Sequence, residues 1–229
     1  MQTVLMADHV SEMRLFDPST GDRLYMDEDE RRRFLVATTT LDNIPHRMFC
    51  EVLHWTGCRI SEALALTPRQ VNTEKRVIRF RTLKKRKRTR QGELKGPVFR
   101  DVPIPKELAV SLDLVFEIRK IRKTGKGVDL PLWPNQSDCK RSMDRSTGWR
   151  VVKRVLDAAG IQGPQATPKG FRHGFAVAMI LGGLDYRILQ QRLGHEQSTT
   201  TAIYLQVVGH EAHDMQMDAW DKANRNWGV

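Results

Sequence analysis

Apolar residues recur at intervals of three and four over most of the chain, which predicts a mainly helical protein. Asp27 has the character of a helix N-cap, Pro45 that of a first-turn residue, and Gly160 that of a residue that closes a helix. The helices expected from these signals cover residues 27–40, 45–56, 60–66, 106–123, 146–159, 168–181, 185–193, 199–207 and 210–222.

Alternation of apolar and polar residues replaces the helical spacing between residues 76 and 104 and predicts two strands. The apolar positions of these strands are Val77, Ile78 and Phe80, followed by Val98, Phe99, Val102 and Ile104. Residues 83–96 form a long loop between them, so the two strands make an antiparallel hairpin. We therefore predict an α+β fold that is mainly α with one small antiparallel β-sheet.

The positive charge of the chain is concentrated on this hairpin. The chain contains 38 lysines and arginines against 27 aspartates and glutamates, which gives a formal net charge of +11. Residues 75–100 contain twelve of the basic side chains and a single acid, Glu93, so the rest of the chain is neutral in sum. This distribution indicates a polyanionic partner such as a nucleic acid, although a basic run can equally be a solvated surface or a localisation signal.

Composition disfavours several classes of protein. The apolar runs are too short for a membrane span and the first residues do not form a signal peptide, so we expect a soluble, cytoplasmic protein without a membrane partner. The cysteines, Cys50, Cys58 and Cys139, are odd in number and widely spaced, which argues against a disulfide framework or a zinc site. We expect neither a metal nor an organic cofactor.

Basic side chains occur where helices begin, which is a position that suits a bound anion. Arg59 follows a Thr-Gly-Cys turn and starts a helix, and Lys169 and Arg172 lie three residues apart in the first turns of another. Cations at a helix N-terminus are repelled by the helix dipole, and a bound anion would offset this repulsion. For Arg59 the alternative is a structural ion pair with Glu62.

Two further candidate residues lie closer to the C-terminus. His195 directly follows Gly194, which is expected to close a helix, and Tyr204 follows nine residues later within the predicted helix 199–207. Taken singly, His195 is typical of a residue that forms hydrogen bonds in a turn, and Tyr204 is typical of a half-buried packing residue. Considered together with Arg59 and Arg172, and at this spacing, both residues are much less typical of such purely structural roles.

The segments around these residues resemble, in order and in spacing, the three signature boxes of the tyrosine recombinase (phage integrase) family. The boxes are TGCRISEAL at 56–64, KGFRHGF at 169–175, and LGH at 193–195 with STTTAIY at 198–204. The resemblance covers about residues 24–208. It implies a site-specific DNA recombinase of integrase or resolvase type, which cleaves and rejoins strands through a 3′-phosphotyrosyl intermediate without metal or ATP.

The resemblance assigns Tyr204 as the nucleophile, Arg59 and Arg172 as the cations that clamp the phosphate, and His195 as a further hydrogen-bond donor to it. Both arginines can bind a phosphate through two N–H groups and stay protonated. A free tyrosine has a pKa of about 10, so we expect cationic neighbours to make Tyr204 a usable nucleophile.

The resemblance also places a catalytic lysine in the hairpin. Lys84 is our candidate for this general acid, with Lys85 as the alternative. Most members of the family have histidine where this chain has Lys169. We predict that Lys169 acts as a charged hydrogen-bond donor to the phosphate rather than as a general base. The hairpin cations expected to contact the DNA backbone are Lys85, Arg86, Lys87, Arg88 and Arg90.

We expect a short, loosely ordered acidic lead-in at 1–23, a catalytic domain at 24–208 with its hairpin at 76–104, and a C-terminal helix or tail at 209–229 that is a candidate for docking on a neighbouring protomer. Most members of the family also carry an N-terminal helical domain that closes around DNA, so this chain resembles a catalytic domain alone. The expected partners are double-stranded DNA, further copies of the chain in a tetramer on DNA, and an accessory protein that supplies the clamp. A bacterial, phage or plasmid origin, on a mobile genetic element, is expected.

Two other functions of the same fold stay open. One is a catalytically weak, DNA-binding accessory or regulatory protein, and the other is relaxation of supercoils in the manner of a type IB topoisomerase. A covalent adduct through Tyr204 would exclude the first, and relaxation of any plasmid without recombinants would identify the second. An RNA-binding or localisation role on an unrelated fold does not explain the three spaced boxes.

Overall fold

The computed structural model describes residues 14–82, 96–194, 203–204, 217 and 219–225. Its helices are α1 (Glu28–Ala37), α2 (Ile44–Thr56), α3 (Ile60–Leu64), α4 (Lys106–Phe116), α5 (Ile118–Thr124), α6 (Arg145–Ala158), α7 (Pro168–Leu181) and α8 (Tyr186–Leu193). Residues 219–225 are also helical. The mainly helical architecture predicted from the apolar spacing is confirmed.

A three-stranded antiparallel sheet carries the basic hairpin. Its strands are, in spatial order, β1 (Val71–Asn72), β2 (Val77–Arg81) and β3 (Phe99–Pro103). In the β2–β3 pair Ile78 lies opposite Val102 and Phe80 opposite Arg100, and all four side chains are buried. The small antiparallel sheet is therefore confirmed, with β1 as an addition, because two residues are too few to show an alternating pattern.

The ends of the helices follow from local backbone and side-chain chemistry. Asp27 caps α1 by accepting a hydrogen bond from the Glu30 N–H at 2.8 Å, as predicted. The helix predicted over 106–123 is in fact two helices, because Glu117 adopts a positive φ of 49° that interrupts the helical backbone. Glu117 therefore separates α4 from α5.

The described part of the lead-in packs against the body of the protein. Leu15 and Met26 are buried, and the Leu24 N–H donates to the Leu15 carbonyl at 2.8 Å across the turn at 17–22. The expectation of a loosely ordered segment is therefore wrong for residues 14–23. Asp17 and Asp22, the acidic residues of this described part, lie in a turn whose two ends are anchored by apolar side chains.

Two apolar clusters form the core of the described chain. The larger cluster joins α1, α2, α3, α6 and the sheet, and it includes the fully buried Phe34 and Phe49. The smaller cluster joins α7, α8 and the lead-in, and it includes Tyr204. Phe175 of the smaller cluster contacts Gly57 at the end of α2, so the two clusters adjoin at the first signature box.

The chain near Tyr204 differs from the prediction. Ile203 and Tyr204 form a turn rather than part of a helix over 199–207, and the three threonines that precede them have low helix propensity. The tail helix extends to residue 225, beyond its predicted end at 222. Within the ranges that the structure describes, none of the helices is both long enough and apolar enough to cross a lipid bilayer.

Candidate functional site

The first signature box forms a sharp reversal between two helices. α2 ends where Gly57 adopts a left-handed φ of 57°, and Arg59 is the N-cap of α3. A Cβ atom on Gly57 would lie 2.3 Å from Phe175 Cδ1, so only glycine provides both the backbone angle and the space. The reversal brings Arg59 close enough to Arg172 for their charges to interact.

Glu62 is a buried carboxylate that joins two arginines. It accepts hydrogen bonds from the Arg59 backbone N–H at 2.9 Å and from Arg59 Nη1 at 3.0 Å. Its two oxygens also accept from Arg100, at 2.6 Å from Nη2 and 3.1 Å from Nη1. Burial acts to raise the pKa of Glu62, but the hydrogen bonds and charge of Arg100 lower this pKa below its ordinary value. The ion pair considered for Arg59 is therefore present, and Arg100 shares it.

Arg100 projects from the inward face of β3 and links the hairpin to α8. Its Nε donates to the Arg192 carbonyl at 2.7 Å, and its guanidinium carbon lies 5.2 Å from the centre of the Phe80 ring. An unpaired cation would be costly at this buried position, and Glu62 removes that cost. The hairpin strand is thereby attached to both the first box and the last turn of α8.

Arg172 is buried in α7 and joins the ends of two other helices. It donates through Nη1 to the Gly57 carbonyl at 2.9 Å and through Nη2 to the Leu193 carbonyl at 2.5 Å. These carbonyls lie at the C-terminal ends of α2 and α8, where free carbonyls and the helix dipole favour a cation. Burial, and then the charge of Arg59, lower the pKa of Arg172 to about 10, so this side chain stays protonated at neutral pH.

Tyr204 is fully buried and hydrogen-bonded to a histidine of the second box. Its Oη lies 2.8 Å from His173 Nδ1. Burial raises the pKa of Tyr204, and the charges of Arg172 and Arg59 offset only part of this effect. The expected cationic neighbours are therefore present and lower the pKa, but in this conformation desolvation of the phenolate is the larger effect. Burial, together with the charges of Lys169 and Arg172, lowers the pKa of His173 to about 4.

The structure brings three of the predicted site residues together. Arg59 and Arg172 both act electrostatically on the Tyr204 hydroxyl. Lys169 is exposed one turn before Arg172 in α7, where its charge acts on His173. Both signature arginines and the tyrosine thus lie at one place in the fold.

The arginine cluster, which we define as Arg59, Arg100 and Arg172 with Glu62, carries excess positive charge. The cluster contains three guanidinium groups and one carboxylate, so its four side chains carry a net charge of +2. Arg59 is the most accessible of the three arginines, with 28% of its side chain exposed. A bound phosphate would be electrostatically favourable next to it.

The other predicted site residues lie outside the described residues, and their roles stay predictions. They are His195, Lys84, Lys85, Arg86, Lys87, Arg88 and Arg90. The described chain does include Thr82 at one end of the hairpin loop and Gly194 directly before the histidine. These two positions are the described residues that lie nearest in sequence to Lys84 and His195.

Two residues of the site received no role from the sequence. In the sequence Arg100 is one of the twelve basic residues of the hairpin region. Its inward register with Val102 in β3 is nevertheless a signal, since a charged residue there requires a buried partner. His173 belongs to the second box, but its position in a helix does not show that it contacts a tyrosine 31 residues further along the chain.

Comparison with known proteins identifies the family. The model of the phage integrase family matches residues 24–210. The chain belongs to the phage integrase family. It is 29% identical over 194 residues to the tyrosine recombinase XerD of Corynebacterium glutamicum, and 30% identical over 190 residues to the tyrosine recombinase XerA of Pyrococcus furiosus. These alignments cover 80% and 83% of this chain, and the chain spans 59% of the length of each relative.

Solved structures of recombinases share the fold of this chain. The crystal structure of the XerA recombinase matches with a TM-score of 0.60 and 28% identity, over 79% of this chain and 59% of that one. The structure of the XerH site-specific recombinase bound to its difH substrate matches with a TM-score of 0.63 and 19% identity, over 86% of this chain and 52% of that one. The predicted resemblance to phage integrases and the α+β fold are both confirmed.

Proposed function

We propose that the chain carries the cleavage site of a site-specific DNA recombinase, which cuts and rejoins DNA strands through a tyrosine–phosphate bond. The observation that carries the proposal is that Arg59 and Arg172 lie close enough to Tyr204 for their charges to lower the pKa of its hydroxyl, within a cluster of excess positive charge. The relatives are named recombinases, which favours this function over the accessory and topoisomerase-like alternatives.

In the proposed reaction Tyr204 Oη attacks a backbone phosphorus while the 5′ oxygen departs on the opposite side. Arg59 and Arg172 offset the charge on the non-bridging oxygens, and Arg172 needs little reorganisation because two helix-terminal carbonyls already fix it. The phenolic proton of Tyr204 passes to solvent water, and the departing 5′ oxygen takes a proton from Lys84, which solvent then reprotonates. Because the 3′-phosphotyrosyl bond conserves the phosphodiester energy, attack by a 5′ hydroxyl restores the strand without ATP.

The hairpin supplies the general acid and most of the backbone contacts in this proposal. Arg100 Nη1 donates to Thr82 Oγ1 at 3.4 Å, so the base of the hairpin loop adjoins the arginine cluster. Lys84 lies two residues further along, and two extended residues span about 7 Å. Its four-carbon side chain adds reach, which supports Lys84 as the general acid, and Lys85 is the alternative by the same measure.

Lys169 and His195 complete the proposed phosphate contacts. Lys169 is exposed on α7 one turn before Arg172, and we assign it a charged contact with the phosphate. His195 directly follows Gly194 in the sequence. Gly194 ends α8 with a left-handed φ of 68°, and the preceding residue, Leu193, provides a carbonyl that holds Arg172, which supports a phosphate contact for His195. If Lys169→Ala cleaved DNA at the wild-type rate, Lys169 would not be one of the residues that contact the phosphate during cleavage.

The proposed substrate is double-stranded DNA, and the proposed active form is a tetramer on paired sites. XerH, which is similar in fold, is bound to its difH substrate in the solved structure. The tail helix exposes Met217 and Trp220 by about half, which supports docking of this helix on a neighbouring protomer. An accessory protein that closes around the DNA, and a place on a mobile genetic element, are further parts of the proposal.

A nicked duplex that traps the covalent intermediate tests the function. The nick lets the short 5′ fragment diffuse away after cleavage, so a reactive tyrosine stays attached to the DNA. Duplexes from the DNA that flanks the gene, with a randomised set beside them, are read on a denaturing gel. We expect a covalent band with wild type and with the control Tyr186→Phe, and none with Tyr204→Phe. DNA binding without an adduct on any duplex would instead support the accessory function.

The proposed assembly has its own measurement. Sedimentation of the protein with and without an adduct-forming duplex should show a species of four protomers on two duplexes. Replacing Met217 and Trp220 with Ser should reduce this species and leave the adduct on a single duplex unchanged. Assembly that is insensitive to this change would contradict docking through the tail helix.

A further inference from the structure

The hydroxyl proposed to attack DNA is not accessible in the structure. Tyr204 is 0% exposed and lies among apolar side chains of α7, α8 and the lead-in, which include Leu15 and Leu189. An attacking oxygen must come within about 3.5 Å of the phosphorus, and a duplex phosphate cannot approach a fully buried atom so closely. The position of Tyr204 in the structure is therefore a resting position.

A contact with His173 satisfies the Tyr204 hydroxyl in this position. His173 Nδ1 lies 2.8 Å from Oη, as donor or acceptor according to the tautomer, and the imidazole is itself 2% exposed. Its other nitrogen, Nε2, is buried and has no hydrogen-bond partner within the described part of the chain. Burying an imidazole costs free energy for each nitrogen that lacks a partner, and Nε2 already lacks one. The hydrogen bond between Nδ1 and Tyr204 Oη is therefore the polar contact that stabilises the buried positions of both side chains.

A histidine on a tyrosine hydroxyl can act either as a general base or as a holding partner. The apolar surroundings favour the second role. Burial raises the pKa of Tyr204 and lowers the pKa of His173 to about 4, and both effects disfavour transfer of the phenolic proton to the ring. The pair is stable as two neutral groups joined by a hydrogen bond.

We propose that His173 is a positioning residue, whose Nδ1 holds Tyr204 in the buried resting position until a DNA phosphate occupies the arginine cluster. The proposal rests on the role of Tyr204 as nucleophile under the proposed function. His173 directly follows Arg172 in α7, and Arg172 also binds the end of α8, whose residues line the Tyr204 cluster. Phosphate binding and release of the tyrosine are thereby linked through adjacent residues of one helix.

Nitration by tetranitromethane, read peptide by peptide, tests the resting position without any DNA cleavage. The chain contains three tyrosines, and the partly exposed Tyr186 is an internal reference. In protein without DNA we expect Tyr204 to react much more slowly than Tyr186. His173→Leu removes the hydrogen bond but keeps an apolar side chain, and should speed nitration of Tyr204 about tenfold. His173→Asn keeps a polar atom near Nδ1 and should restore slow nitration.

Equal nitration of Tyr204 in wild type and His173→Leu would overturn the proposal. Circular dichroism checks that each variant is folded, and His173→Phe replaces His173→Leu if the latter does not fold. A general loss of packing would also speed nitration of Tyr25, which is buried in the same cluster and should stay unchanged.

Adduct formation on the nicked duplex gives the second measurement. At saturating DNA we expect His173→Leu to form the adduct as fast as wild type or up to about tenfold faster, and His173→Asn to match wild type. A slower reaction of folded His173→Leu would overturn the holding role and indicate an activating one. If wild type forms no adduct, the proposed function fails, whereas the nitration comparison still decides whether His173 holds Tyr204.

Discussion

The carboxylate of Glu62 receives both terminal nitrogens of Arg100, at 2.6 and 3.1 Å, and both side chains are buried. The same carboxylate accepts a hydrogen bond from Arg59, and Arg100 also donates one to the Arg192 carbonyl at the end of α8. One buried anion thus connects the first signature box, the hairpin strand and the helix that leads into the third box. Two consequences for stability and catalysis can be measured.

Glu62→Gln should destabilise the fold strongly. The amide keeps the shape of the side chain but leaves Arg100 buried without a counter-ion, for which we expect a loss of about 3–5 kcal/mol in the free energy of unfolding. Urea denaturation near pH 7 measures this loss. The control is Asp129→Asn, which breaks an exposed ion pair with Arg69 and should change little. Equal losses in the two variants would contradict the structural role of Glu62.

Arg100→Lys should slow covalent adduct formation on the nicked duplex at least tenfold while DNA binding stays near wild type. Lysine keeps the charge but cannot contact both oxygens of Glu62 and the Arg192 carbonyl at once, so the end of α8 loses one of the arginine contacts that hold it. Arg79→Lys is the matched control, because Arg79 is an exposed arginine in the adjacent strand that pairs with Asp101. A similar rate for both variants would refute the anchoring role.

Helix α7 shows how far local signals in the sequence determine structure. Its limits are predicted at 168–181 and observed as Pro168–Leu181, because each end carries its own signal. Thr167 accepts from the Gly170 N–H at 3.0 Å, Pro168 occupies the first turn, and Gly182 follows the last. All of these residues lie within one turn of the helix ends that they determine.

Arg100 and His173 show why other parts of the site could not be predicted. Arg100 pairs with a carboxylate 38 residues away, and His173 with a tyrosine 31 residues away. Such contacts depend on how the elements pack together, which neither helical nor strand periodicity specifies. The burial of Tyr204 has the same origin, since apolar residues of α7, α8 and the lead-in enclose it together.

Stability should fall between pH 7 and pH 5, in part because of His173. Burial, and then the charges of Lys169 and Arg172, lower its pKa to about 4 from an ordinary 6.5. As the pH falls, the unfolded chain binds a proton on this histidine before the folded chain does. The contribution of His173 to stability is therefore complete above pH 6.5 and is lost as the pH falls toward 4. We expect this histidine to account for roughly 2 kcal/mol between pH 7 and pH 5.

Urea denaturation of His173→Asn at pH 7, 6 and 5 measures this contribution. The variant should show a shallower dependence on pH, although not a flat one, because burial also lowers the pKa of His54 to about 3 and His54 acts in the same direction. His54→Asn is therefore the companion variant. A dependence on pH that is the same in wild type and His173→Asn would show that His173 does not bind its proton in this range on unfolding.

The positive charge of the hairpin should divide into a part that binds DNA and a part that assists the chemistry. Changing Lys87, Arg88 and Arg90 to Gln should make DNA binding less dependent on salt, because each lost phosphate contact reduces the slope of log K against log salt by about 0.9. Lys84→Ala should leave binding and its salt dependence close to wild type and should slow cleavage. Binding titrations at several salt concentrations, beside the adduct assay, measure both effects.

A second triple variant separates position from net charge. Lys106, Lys123 and Lys126 are exposed cations in or near α4 and α5, outside the hairpin strands, and changing them to Gln removes the same total charge. If binding responds only to net charge, both triple variants should flatten the salt dependence equally. If the hairpin contacts the phosphates directly, only the hairpin variant should do so. Should Lys84→Ala behave like the hairpin triple in both assays, its assignment as the general acid would be wrong, because a residue that only neutralises phosphate affects binding before it affects cleavage.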